Sequence, residues 1–181
     1  LCLMQPQPRK SYSNYDLNQL IKAEAQGLGF CLVGFCSMDS PWSFQDFERW
    51  VRNGYHGSMS YLSREDTMSK RQSPSGLFPE AKSVIVLGLP YPKPNHTVTL
   101  LSKGEGKVAS YAWGKDYHLM IPRLHGLLMD SLQSKIKETI TWKGFTDSAP
   151  ILERDFGVRA GLGWIGKNGC LIFPQHGSTF L

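Results

Sequence analysis

The segment at residues 146–169, TDSAPILERDFGVRAGLGWIGKNG, limits the fold more than any other part of the chain. Its glycines at 161, 163 and 166 satisfy GxGxxG, and Gly161 through Lys167 satisfies most of a phosphate-binding loop. Both motifs need a strand before the glycines and a helix after them, because phosphate rests on a helix N-terminus. Here the order is reversed. Residues 149–160 read as helix, and 170–173 (CLIF) read as a short buried strand. Asn168 also stands where a phosphate loop needs a Ser or Thr hydroxyl for Mg²⁺. Those two nucleotide folds are set aside, and the chain must instead run from helix through glycine loop to strand.

Elsewhere the pattern is α/β. Leu17, Leu20, Ile21, Ala25 and Leu28 predict a helix over 16–28, with Asn14 as a candidate cap and Gly29 as the stop. Residues 30–35 read as a short apolar strand. A helix over 43–52 carries Phe44, Phe47, Trp50 and Val51 on one face, with Gly54 placed as the glycine after its end. SVIVLGL at 83–89 is the clearest buried strand. Residues 92–106 read as loop, 107–113 as strand, and 115–137 as helix, with Pro122 required to break its first turns or lie near its start.

The 181 residues suffice for one core-forming domain or two small ones. No apolar run approaches the roughly 18 residues of a membrane span, and no secretory signal pattern is present. A net charge of +5 favours approach to RNA through phosphate attraction, although many unrelated proteins carry as much. Four cysteines without CxxC spacing write neither a zinc site nor an iron–sulfur site, and reduced thiols are the default reading.

Four stretches carry a resemblance. YHGSMSYLSR (55–64), LFPEAKSVIVLGLPYP (77–92), YAWGKDYH (111–118), and DSAPILER (147–154) with AGLGWIGKN (160–168) occur in this order. Together they resemble the epoxyqueuosine reductase family, cobalamin-dependent iron–sulfur enzymes of queuosine tRNA modification, from about Asp16 onward. The resemblance implies an α/β (α+β) fold in which a central mixed or antiparallel sheet is flanked by helices, like the nitroreductase-like cobalamin-binding domain. It implies a flexible segment at 1–15 and a cobalamin-binding catalytic domain at 16–181. The chain opens on Leu and stops at Gly-Ser-Thr-Phe-Leu, so it is expected to be a fragment, inactive alone, without the ferredoxin-like half that holds the 4Fe-4S clusters. The implied substrate is a tRNA anticodon loop, met by a monomer in the cytoplasm without a membrane.

Each candidate site residue has two readings. Asp147 can cap a helix starting near Pro150, though Ser148 can cap as well. The resemblance instead assigns it as general acid. Expelling an epoxide oxygen needs a proton, and a carboxyl keeps one at neutral pH only where burial disfavours its charge. Glu153 and Arg154 read as an ion pair or a brace for the glycine loop. In that loop Gly163, Trp164, Lys167, Asn168 and Gly169 form a cofactor cradle by resemblance. The alternative is a tight turn with Trp164 as a core anchor. Arg64 matches a cobalamin-contacting Arg of the family or ends a solvated helix. Tyr111, with Trp113 and Tyr117, lines a planar macrocycle or fills core.

The family's Arg before YA-x-G is Ser110 here. Asp116-Tyr117-His118 opens like the DxHxxG cobalt-ligand signature, but Ile121 replaces its glycine, in keeping with a family that leaves cobalt without protein imidazole. Pro122 between His118 and His125 argues against a metal pair. The functions that remain are an epoxyqueuosine reductase domain, a cobalamin-handling module without turnover, and a corrinoid reductive dehalogenase domain.

Overall fold

The computed structural model describes residues 11–91 and 102–180. Helix α1 (Asn14–Gly27) opens two residues before the expected boundary because Ser13, not Asn14, accepts the Asp16 amide at 3.2 Å. Gly29 ends it in the left-handed region (φ 96°). Of the segment expected to be flexible, 1–10 lies outside the described residues, as does 92–101 of the expected loop.

Strand β1 (Leu32–Ser37) pairs antiparallel with β2 (Ser83–Gly88), from Leu32 opposite Gly88 to Ser37 opposite Ser83. Between them lie α2 (Phe44–Arg52), which ends at Gly54 (φ 73°) as expected, and α3 (Glu65–Gln72). Helix α4 (Tyr117–Lys135) packs on α1. Ile21, Ala25, Phe30, Leu89, Ile121, Leu128, Leu132 and Ile136 form the main core there. Asp116 caps α4 by accepting the His118 amide at 2.9 Å. Pro122 sits in its second turn, so one backbone bond is lost near the helix start and the helix survives. Gly126 lies inside α4 with nothing within 4 Å of an added Cβ. Gly126→Ala is therefore expected to stabilise the fold by roughly 0.5–1 kcal/mol in denaturant titration.

Helix α5 (Glu153–Arg159) leads into β3 (Trp164–Ile165) and β4 (Leu171–Ile172), an antiparallel hairpin whose Leu162 and Leu171 join Leu32 in a second core. The expected sheet thus takes the form of two ribbons of two strands each among the described residues. The helix–glycines–strand order holds, but part of the expected loop is itself strand. Among the described residues no helix is long and apolar enough to cross a membrane.

Two expectations fail. Residues 107–113 form no strand. Val108 and Trp113 are 65% and 53% exposed, and the Trp113 indole donates to the Val108 carbonyl at 2.9 Å, closing the segment on itself around a 3₁₀ turn at Ser110–Ala112. Helix α5 begins at Glu153 rather than near Pro150, because residues 147–151 are a series of bends.

Candidate active site

The bend before α5 is built around Asp147, whose φ of 59° is the one positive value at a non-glycine residue among those described. Such a conformation costs roughly 1–3 kcal/mol and persists only where neighbours over-determine it. The neighbours are visible. The Asp147 amide donates to Glu153 Oε1 at 2.8 Å, and the Tyr117 hydroxyl donates to Asp147 Oδ2 at 2.9 Å. Asp147 lies six residues before the first residue of α5 and caps nothing; its side chain is 68% exposed. His118 Nε2 stands 3.7 Å from the same Oδ2, while its Nδ1 meets Asp116 Oδ1 at 2.9 Å. Tyr117 stacks on the His118 ring with centroids 4.0 Å apart. Partial burial and the Asp147 carboxylate push the Tyr117 hydroxyl up to about 12. The amide and ring of His118 hold the Asp116 carboxyl below the usual range.

The first turn of α5 ties this bend to the glycine hairpin. Glu153 holds the Asp147 amide, and the next residue, Arg154, donates from Nη1 to the Gly169 carbonyl. The brace expected of the Glu-Arg pair is present, with its two members reaching different loops. Farther along, Asp155 is 4% exposed and accepts the Trp42 and Ser43 amides at 3.2 and 2.7 Å, at the entry to α2. The Arg159 side chain, also 4% exposed, donates to the Asp39 and Ser37 carbonyls at 2.8 and 2.9 Å. Sequence reasoning missed Asp155 and Arg159, since their partners lie more than a hundred residues away. It also missed the contact of Tyr117 and His118 with Asp147, which only the approach of α4 to the bend creates.

The remaining predicted residues fall in three places. In the hairpin, Trp164 is 52% exposed and so is no core anchor. Lys167 and Asn168 are exposed at the turn, where Asn168 Oδ1 accepts the Cys170 amide at 3.1 Å. A Cβ at Gly163 would overlap the Ile172 carbonyl, and Gly169 is left-handed at φ 76°. Tyr111, 50% exposed, meets the Tyr117 ring edge-on at 6.5 Å and so joins the Asp147 cluster. Arg64 does not join it. Its guanidinium grips Asp66 at 3.1 and 3.2 Å just ahead of α3.

Beneath the bend a cavity of about 490 Å³ runs between β2, α4 and residues 140–146, with Phe30, Ile85, Ile121, Phe145 and Phe156 among its walls. Glu153 lines it, and although the residue as a whole is exposed, desolvation by its surroundings pushes its carboxyl above the ordinary range. A raised carboxyl contributes stability below its unfolded value that is lost as pH rises through the folded one. Glu153→Gln, which retains the acceptor, is expected to gain melting temperature relative to the parent as pH rises from 4 to 7. An unchanged difference across that range would contradict the assignment.

A family model described as epoxyqueuosine reductase QueG, DUF1730, matches residues 71–148. The epoxyqueuosine reductase of Aliivibrio fischeri is 36% identical over 170 residues, which are 92% of this chain and 45% of that protein. A solved epoxyqueuosine reductase with a tRNA-Tyr epoxyqueuosine-modified stem loop is 31% identical, with a TM-score of 0.73, over 92% of this chain and 44% of that one. The Bacillus subtilis epoxyqueuosine reductase, solved with its aspartate-bearing catalytic loop swung out of the active site, is 28% identical with a TM-score of 0.73 over the same shares. The chain spans about half the length of the curated relatives it matches. In sequence and in fold the chain is similar to epoxyqueuosine reductases along nearly its whole length, over the half of those proteins that it spans.

Proposed function

We propose that this chain is the cobalamin-binding catalytic portion of an oxidoreductase that converts epoxyqueuosine in tRNA to queuosine, with Asp147 protonating the oxygen that leaves. The observation that carries the reading is the Asp147 bend. An exposed carboxyl is held in a strained conformation by Tyr117 and Glu153, on a chain whose relatives are epoxyqueuosine reductases. Strain of this kind concentrates at functional sites. The aspartate-bearing catalytic loop of the Bacillus subtilis relative supports the role, and the modified stem loop in another solved relative supports tRNA as the substrate.

The exposed surface suits a broad, partly apolar ligand. Tyr111, Trp113, Trp164 and Ile165 are between 43% and 53% exposed, in the elements flanking Asp147 and the glycine hairpin. Tyr111, Gly163, Trp164, Lys167, Asn168 and Gly169 would hold the cobalamin, and Arg64 would contribute by leaving Asp66. When bound, that cofactor supplies electrons through a reduced cobalt centre. Asp147 supplies the proton, Tyr117 fixes one carboxylate oxygen, and Glu153 fixes the backbone. Covering by ligand and substrate would withdraw the carboxyl from water and favour its protonated form. Electrons would come from 4Fe-4S clusters outside this chain, in a cytoplasmic monomer.

Titrating the purified chain with cob(II)alamin tests the cofactor. Saturable binding with a shift to a base-off spectrum is expected. Saturable binding of a flavin or nicotinamide nucleotide with no response to cobalamin would overturn it.

A further inference from the structure

Removing the oxygen of an epoxide to leave an alkene breaks two C–O bonds, forms one C=C bond and releases water. The change consumes two electrons, here from a reduced iron–sulfur carrier by way of the cofactor, and two protons. Asp147 can hold one proton. A second must reach the same oxygen within the turnover, and the acid must be refilled.

On the reading proposed above, we infer that His118 is the positioning residue that reloads Asp147, passing a proton from Nε2 to Oδ2 while Asp116 holds its other ring nitrogen. The groups that face this pair select it. Nδ1 lies 2.9 Å from Asp116 Oδ1. Nε2 lies 3.7 Å from Asp147 Oδ2, an ion-pair rather than a hydrogen-bond distance, so the proton crosses through one bridging water or once the two side chains close. A carboxylate on one nitrogen fixes the Nδ1–H tautomer and leaves Nε2 to exchange the mobile proton. The other three neighbours serve poorly. Tyr117 already donates to Oδ2 and keeps its own proton at neutral pH, being raised to about 12. Tyr111 meets only the edge of the Tyr117 ring. Glu153 bonds the Asp147 backbone rather than its carboxyl. His118 is 46% exposed, so bulk water can recharge it between turnovers, and its ring is held by Tyr117 stacked at 4.0 Å. The proton therefore runs from water through His118 to Asp147 and on to the leaving oxygen. After delivery His118 is neutral and Asp147 is ready for the second transfer.

The test uses this chain joined to the remaining half of the Aliivibrio fischeri relative, cluster-loaded and supplied with epoxyqueuosine-modified stem loop. His118→Ala and His118→Gln should each lower kcat by about 10²-fold, at the low end of what a positioned proton donor contributes, with KM unchanged. Added imidazole should restore His118→Ala in proportion to its protonated fraction, which a purely structural role would not allow. On the chain alone, ring nitrogen NMR should report the Nδ1–H tautomer of His118, and Asp116→Asn should abolish that preference. Parental kcat in both variants, a loss that imidazole does not restore, or an Nε2–H tautomer would overturn the relay and leave the reductase reading standing. If the unmutated chimera fails to reduce the stem loop while the intact relative succeeds, the reductase reading fails, and the relay with it.

Discussion

Asp147→Asn is expected to leave cobalamin binding and folding nearly intact while turnover of an electron-fed chimera falls by on the order of 10²–10⁴-fold, the usual contribution of a positioned general acid. Asparagine preserves the shape of the side chain and also tolerates the left-handed backbone that Asp147 adopts at φ 59°. The Asp147 amide still reaches Glu153, and the Tyr117 hydroxyl still finds an acceptor. What is lost is a carboxyl proton. Rate measurements on folded, cofactor-loaded protein check this, and parental turnover would leave Asp147 a structural turn residue. Tyr117→Phe removes only the donor that fixes Oδ2, so its loss of turnover should be smaller than that of Asp147→Asn.

Gly163→Ala is expected to be the most damaging single methyl in the chain. Its Cβ would overlap the carbonyl oxygen of Ile172 in the facing strand, and a backbone atom cannot rotate aside. The hairpin must open, which uncouples Leu162 and Leu171 from Leu32 and displaces Trp164, Lys167 and Asn168. A loss of about 3 kcal/mol or more in denaturant titration is anticipated, at the upper end for overpacking, together with loss of cobalamin binding. Gly161→Ala is the control. Nothing lies within 4 Å of its added Cβ, although its φ is +72°, so the left-handed backbone alone should cost about 1 kcal/mol. Equal, small losses at the two positions would contradict the hairpin packing.

Helices α1, α2 and α4 and the strands of the long ribbon were legible because their signals are local, whereas α3, with little apolar patterning, was not. Phe44, Phe47, Trp50 and Val51 repeat at helical spacing, and SVIVLGL is a short β-branched run closed by Pro90, which reads as strand. The start of α5 misled for an equally local reason. Asp147, Ser148 and Pro150 carry the residue types of a helix entry, but Glu153 takes the Asp147 amide from across the bend, and the helix begins only there. Residues 107–113 have a strand's composition, but the Trp113 indole closes them on the Val108 carbonyl around a 3₁₀ turn. For the site, Asp147 and the Glu-Arg brace could be named from the DSAPILER motif. The Asp116–His118–Asp147 row could not. It exists only because α4 delivers its first turn beside a bend about thirty residues later, and no periodicity encodes that approach.

The central claim is that this chain supplies the acid and cofactor surface for epoxyqueuosine reduction, and mass analysis of the RNA product tests it most directly. The chain joined to the rest of the Aliivibrio fischeri relative, with cobalamin, reconstituted clusters and a low-potential reductant, is given an epoxyqueuosine-modified stem loop. Loss of one oxygen from the modified nucleoside, dependent on cobalamin and suppressed in Asp147→Asn, is the predicted result. An unchanged nucleoside, under conditions in which the intact relative converts the same stem loop, would contradict it.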